Sequence, residues 1–351
     1  MSTQAAREGR PGARAITRAL FTETSFGRLW YAGAIASTMR WLESLAVGVF
    51  VFDLTDSAIM VAVFLFLRWA PLVMFGAWIG VIADRVSRKG ILLGGLIAMS
   101  VVSALLGLLA VTGTVALWHI GLAAFLSGTF TSTDYSTRRT MIGEAAGTER
   151  VGVAMAFDTG TNNGTRMLGP ALGGFLLEFM GLHGAYFLGT ILYATAAFVV
   201  WLMVYLQHKP SGPAPKVLTN LIEGLRYARS EPIVVGVLSI TIIVNAFGFP
   251  FASILPVIGR DTLGLSAFPV GVLASSEGLG ALLGAVFVGM TVRPSRYGRF
   301  FVCGSFMFLS GIILFALSPL FETSLVVLLL AGLGISGFSS CLLYTSDAAD
   351  E

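Results

Sequence analysis

Long runs of apolar residues, separated by short polar segments, recur along the whole of this 351-residue chain. A helix needs about 20 residues to cross the hydrocarbon core of a bilayer, and these runs reach or approach that length. Single strands of such length and apolarity do not build a barrel, so the pattern predicts transmembrane helices. Ten spans are predicted, the last of them incomplete, over residues 30–52, 59–83, 91–111, 115–133, 151–180, 185–206, 233–257, 269–291, 300–317 and 324–340.

The composition agrees with a protein that is solvated by lipid. Hydrophobic residues make up 56% of the chain, charged residues only 12%, and the mean hydropathy is +0.84. A soluble domain carries about 25% charged residues. The net charge of +3 is not a nucleic-acid signal, because its meaning lies in the positions of the charges.

The basic residues are distributed unevenly between the two predicted faces of the membrane. The N-terminal tail, the even-numbered loops and the central linker carry 18 of the 22 lysines and arginines, whereas the opposite face has only Arg260. The positive-inside rule therefore predicts a cytoplasmic N-terminus in a bacterial cytoplasmic membrane. The tail lacks a small-residue cleavage site, so the first span is expected to be retained as a signal anchor.

The chain divides at a proline-containing linker. Pro210, Pro213 and Pro215 interrupt the polar segment after the sixth span, and residues 217–230 have the pattern of an amphipathic interfacial helix. We predict five segments: a cytoplasmic tail (1–28), a six-helix bundle (29–206), the linker (207–232), a partial second bundle (233–340) and a C-terminal remainder (341–351).

The polar segment between the second and third spans reads Gly80-Val-Ile-Ala-Asp84-Arg85-Val-Ser-Arg88-Lys89. It resembles the cytoplasmic signature loop of the major facilitator superfamily, G-x-x-x-D-R-x-x-R-[RK], at every fixed position. The resemblance implies an all-α membrane protein with two six-helix bundles that work by alternating access. It also implies that Gly80, Asp84, Arg85, Arg88 and Lys89 form a conformational latch. The alternative is an ordinary basic loop that matches by chance.

The fifth span resembles the antiporter motif of exporters in this superfamily, which ends in G-P-x-x-G-G. The residues that carry the resemblance are Gly169, Pro170, Gly173 and Gly174, and Gly164 precedes them. The resemblance favours export over import and points to the branch that contains exporters of drugs, siderophores and macrolides. Small residues also permit close helix contact in any membrane protein, so generic helix packing is the alternative.

Several ionisable or polar residues lie within the predicted spans, where they are costly and therefore candidates for function. Arg40 and Glu43 share one face of the first span, and Asp158, Asn162 and Arg166 form a stripe with a spacing of four in the fifth. A polar transport cavity with a protonatable carboxylate is one hypothesis, with Glu43 favoured and Glu277 in reserve. Ion pairs that only hold helices together are the other, and Arg68 favours this structural role. The candidates are Arg40, Glu43, Arg68, Asp158, Asn162, Arg166 and Glu277.

We expect the last eleven residues to have an unusual origin. Residues 341–351 back-translate readily to DNA that resembles the mosaic-end adaptor of transposase-made sequencing libraries. We expect this segment to be an artefact that cuts the tenth helix of a twelve-helix protein, so that about ten helices are present. The alternative is a natural polar C-terminus.

These features predict secondary active transport of a small molecule, with proton-coupled export of a drug-like compound or a siderophore favoured. An importer on the same fold, or a non-transporting membrane sensor or assembly factor, is the alternative. No Walker loop or metal-ligand spacing occurs in the sequence, so neither enzymatic activity, a cofactor nor a metal is expected. The expected partners are the substrate, protons and lipid, without nucleic acid, and a monomer is favoured.

Overall fold

The computed structural model describes residues 13–23, 25–205, 207, 226, 229–292 and 296–347, and it leaves the side chains of residues 13–16, 23, 77–85, 233 and 340–347 undescribed. Every regular element in the described part of the chain is helical. The helices are α1 (Ala13–Glu23), α2 (Phe26–Thr55), α3 (Ala58–Arg85), α4 (Arg88–Val111), α5 (Leu117–Ala146), α6 (Val151–Trp201), α7 (Pro232–Ile243), α8 (Phe251–Val257), α9 (Ala267–Thr291), α10 (Tyr297–Ala316) and α11 (Phe321–Asp347).

The predicted spans are found as helices. Eight helical stretches are long and apolar enough to cross a membrane. One of them, α6, has 51 residues and is broken at Gly181, whose φ of 69° is readily adopted only by glycine, so α6 supplies two spans. Helix α5 is 30 residues long and more polar, and it supplies a further span. With the two halves of α6 and with α5, the described residues contain ten helical segments that are long enough to cross a membrane, and the all-α fold is confirmed.

Helices α2 to α6 form the first bundle. Helix α2 packs along α6, and its buried residues Leu29, Met39 and Leu42 share one apolar core with Tyr193 and Val200 of α6. The short helix α1, which the sequence pattern did not predict, closes one end of this core. Its Phe21 ring makes edge-to-face contacts with Phe26, Trp30 and Phe157.

The second bundle is built from the seventh span and from α9, α10 and α11. Phe308 and Phe315 of α10 are buried in a core that also contains Leu328 and Ile335 of α11. Small residues bring these helices together, because a Cβ added at Gly304 would stand 2.6 Å from the carbonyl oxygen of Gly334. The side chains of residues 340–347 and all of residues 348–351 lie outside the description, so the expectation about the C-terminal segment stays a prediction.

The seventh span is less regular than its sequence predicts. Two π-helical turns, Val244–Gly248 and Ile258–Thr262, flank α8. The backbone N–H of Phe249 donates to Val244 O at 3.1 Å, across five residues instead of four. Pro250 and Pro256 lie in this stretch, and neither can donate a backbone hydrogen bond. The span therefore reaches Thr262, five residues beyond its predicted end.

The fourth span is also longer than predicted, and this corrects the placement of two arginines. Arg138 and Arg139 were assigned to a cytoplasmic loop, but α5 continues through both residues to Ala146 and ends at Gly147, which has a φ of 71°. The side chain of Arg138 is 4% exposed. The helix continues because buried carboxylates pair with the cation and thereby compensate for its desolvation. The predicted amphipathic linker helix lies mostly outside the described residues.

Candidate functional site

Consecutive spans run antiparallel, so the membrane-crossing part of the molecule has two ends, which we name after residues. The Arg88 end contains the start of α2, the start of α4 and the end of α5. The Asp53 end contains the end of α2, the Gly181 break and the start of α9. Polar side chains occupy three levels between these ends.

Glu43 lies at the middle level, inside the first bundle. Its side chain is 7% exposed, its Oε2 atom is 4.0 Å from Arg68 Nη1, and the Ser127 hydroxyl donates to it at 3.5 Å. The Oε1 atom of Glu43 and the Oγ atom of Ser103 are buried and have no hydrogen-bond partner among the described residues. Both residues line a cavity between the helices whose volume is about 40 Å³, which is enough for a small number of water molecules.

Arg40 and Glu43 lie one turn apart on α2, but they form no ion pair with each other. Arg68 reaches Glu43 from the neighbouring helix α3 and also donates through Nη2 to the backbone oxygen of Arg40 at 3.0 Å. Arg40 lines a separate small cavity with Gly33 and Ser37.

A cluster of charges lies between the middle level and the Arg88 end, and we call it the arginine cluster. Arg138 of α5 binds Asp134 one turn earlier, at 3.2 Å, and Asp158 of α6. Arg139 Nε is 3.7 Å from Asp158 Oδ2, and its guanidinium lies 4.2 Å from the ring centre of Tyr135. The cluster comprises Arg40, Asp134, Arg138, Arg139 and Asp158.

The polar stripe of the fifth span contacts three different helices. Asp158 binds α5 through the arginine cluster. Asn162 Oδ1 accepts a hydrogen bond from Ser37 Oγ of α2 at 2.8 Å. Arg166 extends to the second bundle instead, so the stripe does not line one continuous surface.

Arg166 and Glu277 join the two bundles at the middle level. Arg166 Nε donates to Glu277 Oε2 at 2.9 Å and Arg166 Nη2 to Glu277 Oε1 at 2.5 Å, which makes the pair bidentate. The exposed fractions of the two side chains are 14% and 4%. The indole ring of Trp41 lies 5.2 Å from the guanidinium. The two bundles are thus tied together by a buried ion pair.

From this pair toward the Asp53 end, α6 and α9 are in close contact. A Cβ at Gly271 would stand 2.5 Å from Pro170 O, and a Cβ at Gly174 would overlap the backbone of Ala267. Gly169 and Gly173 face Trp41 and Leu42 of α2 instead, also without room for a Cβ.

Gly164 differs from the other glycines of the predicted motif. Nothing lies within 4 Å of the place where its Cβ would stand, so Gly164 does not have the helix-packing role that was predicted for it. Gly160, one turn nearer the Arg88 end, is equally open. On the face that Gly160 and Gly164 present, α6 is therefore loosely packed, whereas on the Asp53 side of Arg166 its glycines are in close contact with α2 and α9.

The Asp53 end carries polar contacts between the bundles. Arg260 Nε donates to Asp53 Oδ1 at 2.7 Å, and Arg260 Nη1 donates to Leu265 O, also at 2.7 Å. The carboxylate of Glu178, at the end of the fifth span, accepts a hydrogen bond from the backbone N–H of Phe268 at 2.7 Å.

At the Arg88 end, the described part of the predicted latch is bonded within the first bundle. Arg88 Nη1 donates to Glu144 Oε1 at 2.5 Å, and the Tyr205 hydroxyl donates to the same carboxylate. Lys89 Nζ donates to the backbone oxygens of Trp201 and Met203 at 2.9 and 2.6 Å. The side chains of Gly80, Asp84 and Arg85 lie outside the described residues.

The sequence analysis did not identify as candidates several residues that make polar contacts or line a cavity in this structure. They are Asp53, Ser103, Ser127, Asp134, Arg138, Arg139, Glu144, Glu178 and Arg260. Gly147 was the signal that was available for three of them, because a glycine after a helical stretch marks a C-terminus. Extending the fourth span to Gly147 would have placed Asp134, Arg138 and Arg139 on a helix.

Solved structures with this arrangement define the class of the fold. The chain superposes on an inward-facing, unoccupied bacterial homologue of the human lysosomal transporter Spinster with a TM-score of 0.67 at 14% identity, covering 90% of this chain and 74% of that one. It superposes on the nucleoside transporter NupG with a TM-score of 0.65 at 13% identity, covering 90% and 81%. The fold is that of major facilitator transporters.

Within this class the chain belongs to the transmembrane secretion effector family, whose model matches residues 15–342. It is similar to the MFS-type transporter YfiS of Bacillus subtilis, with 24% identity over 78% of this chain and 65% of YfiS. It is also similar to the enterobactin exporter EntS of Shigella flexneri, with 28% identity over 76% of this chain and 62% of EntS. The chain therefore spans less than two thirds of these two relatives. The match to EntS of Shigella boydii has 26% identity and covers 93% and 77%.

Proposed function

We propose that this protein is a secondary active transporter that exports a small molecule by alternating access, with proton entry as the driving reaction. The observation that carries the proposal is the buried Arg166–Glu277 pair at the place where the two bundles meet. A charge pair at this depth is costly unless it has a role, and a contact between bundles is where rocking of one bundle against the other acts. Membership of the secretion effector family supports the same function.

The direction of opening follows from the orientation that we propose. If the basic Arg88 end faces the cytoplasm, the tight α6–α9 contact closes the outer side and the loosely packed face of α6 lies on the inner side. The state would then be the inward-facing one, which is ready to accept cargo from the cytoplasm. The inward-facing Spinster homologue has the same overall fold.

We assign roles to the candidate residues on this basis. Glu43 is the proton-coupling carboxylate, because it is buried, borders a cavity and has a free oxygen. Arg68 holds it in place, and Glu277 is the reserve candidate. Arg40, Asp158, Asn162 and Arg166 border the cargo pathway, while Gly80, Asp84, Arg85, Arg88 and Lys89 form the latch at the cytoplasmic side. A siderophore or a drug-like compound is the proposed cargo, and similarity to enterobactin exporters favours the siderophore.

The decisive experiment is flux in proteoliposomes that contain a pH-sensitive dye. A panel of iron-free siderophores and drug-like compounds is applied as an outward gradient, and the lumenal pH is followed. Proton movement opposite to the compound is expected for at least one member of the panel. Movement in the same direction would establish an importer, and the absence of any linked flux would contradict secondary transport.

We predict that the Arg88 end faces the cytoplasm, because most basic residues lie on that side. Ser87 and Ser57 are at opposite ends of α3, and each is replaced singly by cysteine after Cys303 and Cys341 have been changed to serine. A membrane-impermeant thiol reagent added to intact cells should label Ser57→Cys and spare Ser87→Cys. The reverse labelling pattern would overturn the orientation.

A further inference from the structure

The arginine cluster contains more positive than negative charge. It comprises three arginines and two aspartates, drawn from α2, α5 and α6, around a small cavity that Ser37, Tyr135 and Asn162 also line. Both aspartates are used by Arg138, and Asp158 also attracts Arg139. One positive charge is left without a carboxylate.

Arg40 carries that excess charge, because Asp134 attracts it without forming an ion pair with it. Its side chain makes no hydrogen bond or ion pair with the residues that the structure describes, and its Nε atom is buried without a partner. The other arginines within the described spans differ, since Arg68 faces Glu43, Arg138 binds two aspartates and Arg166 binds Glu277. Arg40 is half-buried, and a guanidinium that is partly removed from water without an ion-pair partner is costly, so binding an anion there is energetically favourable.

The surroundings of Arg40 are suited to an anion and are held rigidly. Arg138 is fixed by two carboxylates, and Gly33 of α2 leaves the space that its guanidinium occupies, because a Cβ at that position would overlap it. Glu43 already has the guanidinium of Arg68 beside it, at 4.0 Å, so Arg40 is not needed to neutralise that carboxylate. The cavity has a volume of about 10 Å³, room for one water molecule, so an anionic group would meet Arg40 and Arg139 from the side where Arg139 is 32% exposed. Planar guanidinium groups bind carboxylates in a fixed geometry.

We propose that the arginine cluster binds an anionic group of the cargo, a carboxylate or a group of like charge and shape, with Arg40 as its principal ligand. This inference rests on the proposed transport function and narrows it to anionic compounds. A free inorganic anion would satisfy the same charge, so the experiment must separate the two sources.

The test measures binding and does not depend on flux. Purified protein in detergent and a low-salt zwitterionic buffer is titrated with benzoate, and with the neutral isostere benzamide, by saturation-transfer NMR of the ligand. We expect a saturable benzoate signal and none for benzamide. Arg40→Gln should weaken benzoate binding at least tenfold, and Arg40→Lys should weaken it less because the charge is retained. Arg299→Gln removes an exposed arginine elsewhere and should leave binding unchanged.

Three results would overturn the inference: no saturable benzoate signal, equal binding by wild type and Arg40→Gln, or competition by chloride at the same concentration as benzoate. The last result would assign the site to a free ion. The thermal unfolding of each variant is recorded, and Arg40→Lys remains informative if Arg40→Gln does not fold. Benzoate binding without proton-linked flux of any compound in the proteoliposome assay would contradict the transport proposal and would still support the anion site.

Discussion

At the scale of single residues, the partners of the charged side chains within the described spans come mostly from neighbouring helices. Glu43 and Arg40 are one turn apart on α2, yet they line different cavities. The sequence spacing therefore located two polar residues within α2 but not their partners. Arg68 and Ser127, which contact Glu43, come from helices whose relative positions only the fold determines.

We predict that Glu43→Gln abolishes transport against a gradient and leaves exchange down a gradient intact. Glutamine preserves the size of the side chain and its contact with Ser127 but cannot take up and release a proton. Glu149→Gln, in an exposed loop, is the matched control and should behave as wild type. The measurement is flux in proteoliposomes with and without an imposed pH gradient. Uphill transport by Glu43→Gln would remove Glu43 from the coupling role and leave Glu277 as the candidate.

At the scale of elements, α6 shows how one helix can serve several surfaces. Its polar residues recur every four positions, yet Asp158, Asn162 and Arg166 contact α5, α2 and α9 respectively. The helix lies among these three neighbours, so residues along one stripe meet different partners at different depths. The sequence predicted correctly that the stripe and the glycine-rich segment lie on one helix. It could not predict which neighbouring helix each of these residues contacts.

We predict that Gly174→Ala impairs transport and that Gly164→Ala does not. A methyl group at Gly174 would overlap the backbone of Ala267, which cannot rotate away, whereas Gly164 has open space. Overpacking of this kind costs about 1–3 kcal/mol. In the open position alanine is the better helix former, by about 1 kcal/mol. The flux and the thermal unfolding temperature of both variants are the measurements, and equal effects of the two substitutions would contradict the assigned packing.

Helix boundaries were the weakest part of the prediction at this scale. The apolar pattern located α5 but placed its end at residue 133, because charged residues after that point resemble a loop. Arg138 pairs with Asp134 of the same helix and with Asp158 of α6, so the continuation of α5 depends on a second helix. The π-helical turns of the seventh span were equally hidden, since Pro250 and Pro256 indicate an irregularity without specifying its form.

At the scale of the whole molecule, the succession of apolar runs was sufficient to predict ten spans and their antiparallel order. It was not sufficient to predict which helices of the two bundles meet. The main contact is made by α6 and α9, through Arg166 and Glu277 in the middle and through Glu178 and Phe268 near the Asp53 end, and α8 also packs against α2 and α3. Arg260 and Asp53 add an exposed pair, which by itself contributes at most about 1 kcal/mol. The buried pair is therefore the stronger electrostatic link between the bundles.

We predict that this link depends on the pairing of charges and not on either residue alone. Glu277→Arg or Arg166→Glu would leave two like charges facing each other in a buried interface, and breaking a buried pair costs about 3–5 kcal/mol. Each single variant should therefore unfold at a lower temperature and lose transport. The double variant Arg166→Glu, Glu277→Arg restores opposite charges and should recover most of the lost stability, although Trp41 would then face a carboxylate in place of a guanidinium. Thermal unfolding and flux are measured for all four proteins.

Recovery of stability together with proton-coupled flux would assign a structural, inter-bundle role to Glu277. Recovery of stability without coupled flux would instead give Glu277 the coupling role that we assign to Glu43. No recovery in the double variant would show that the two charges do not act as a pair, and it would remove the observation on which the transport proposal rests.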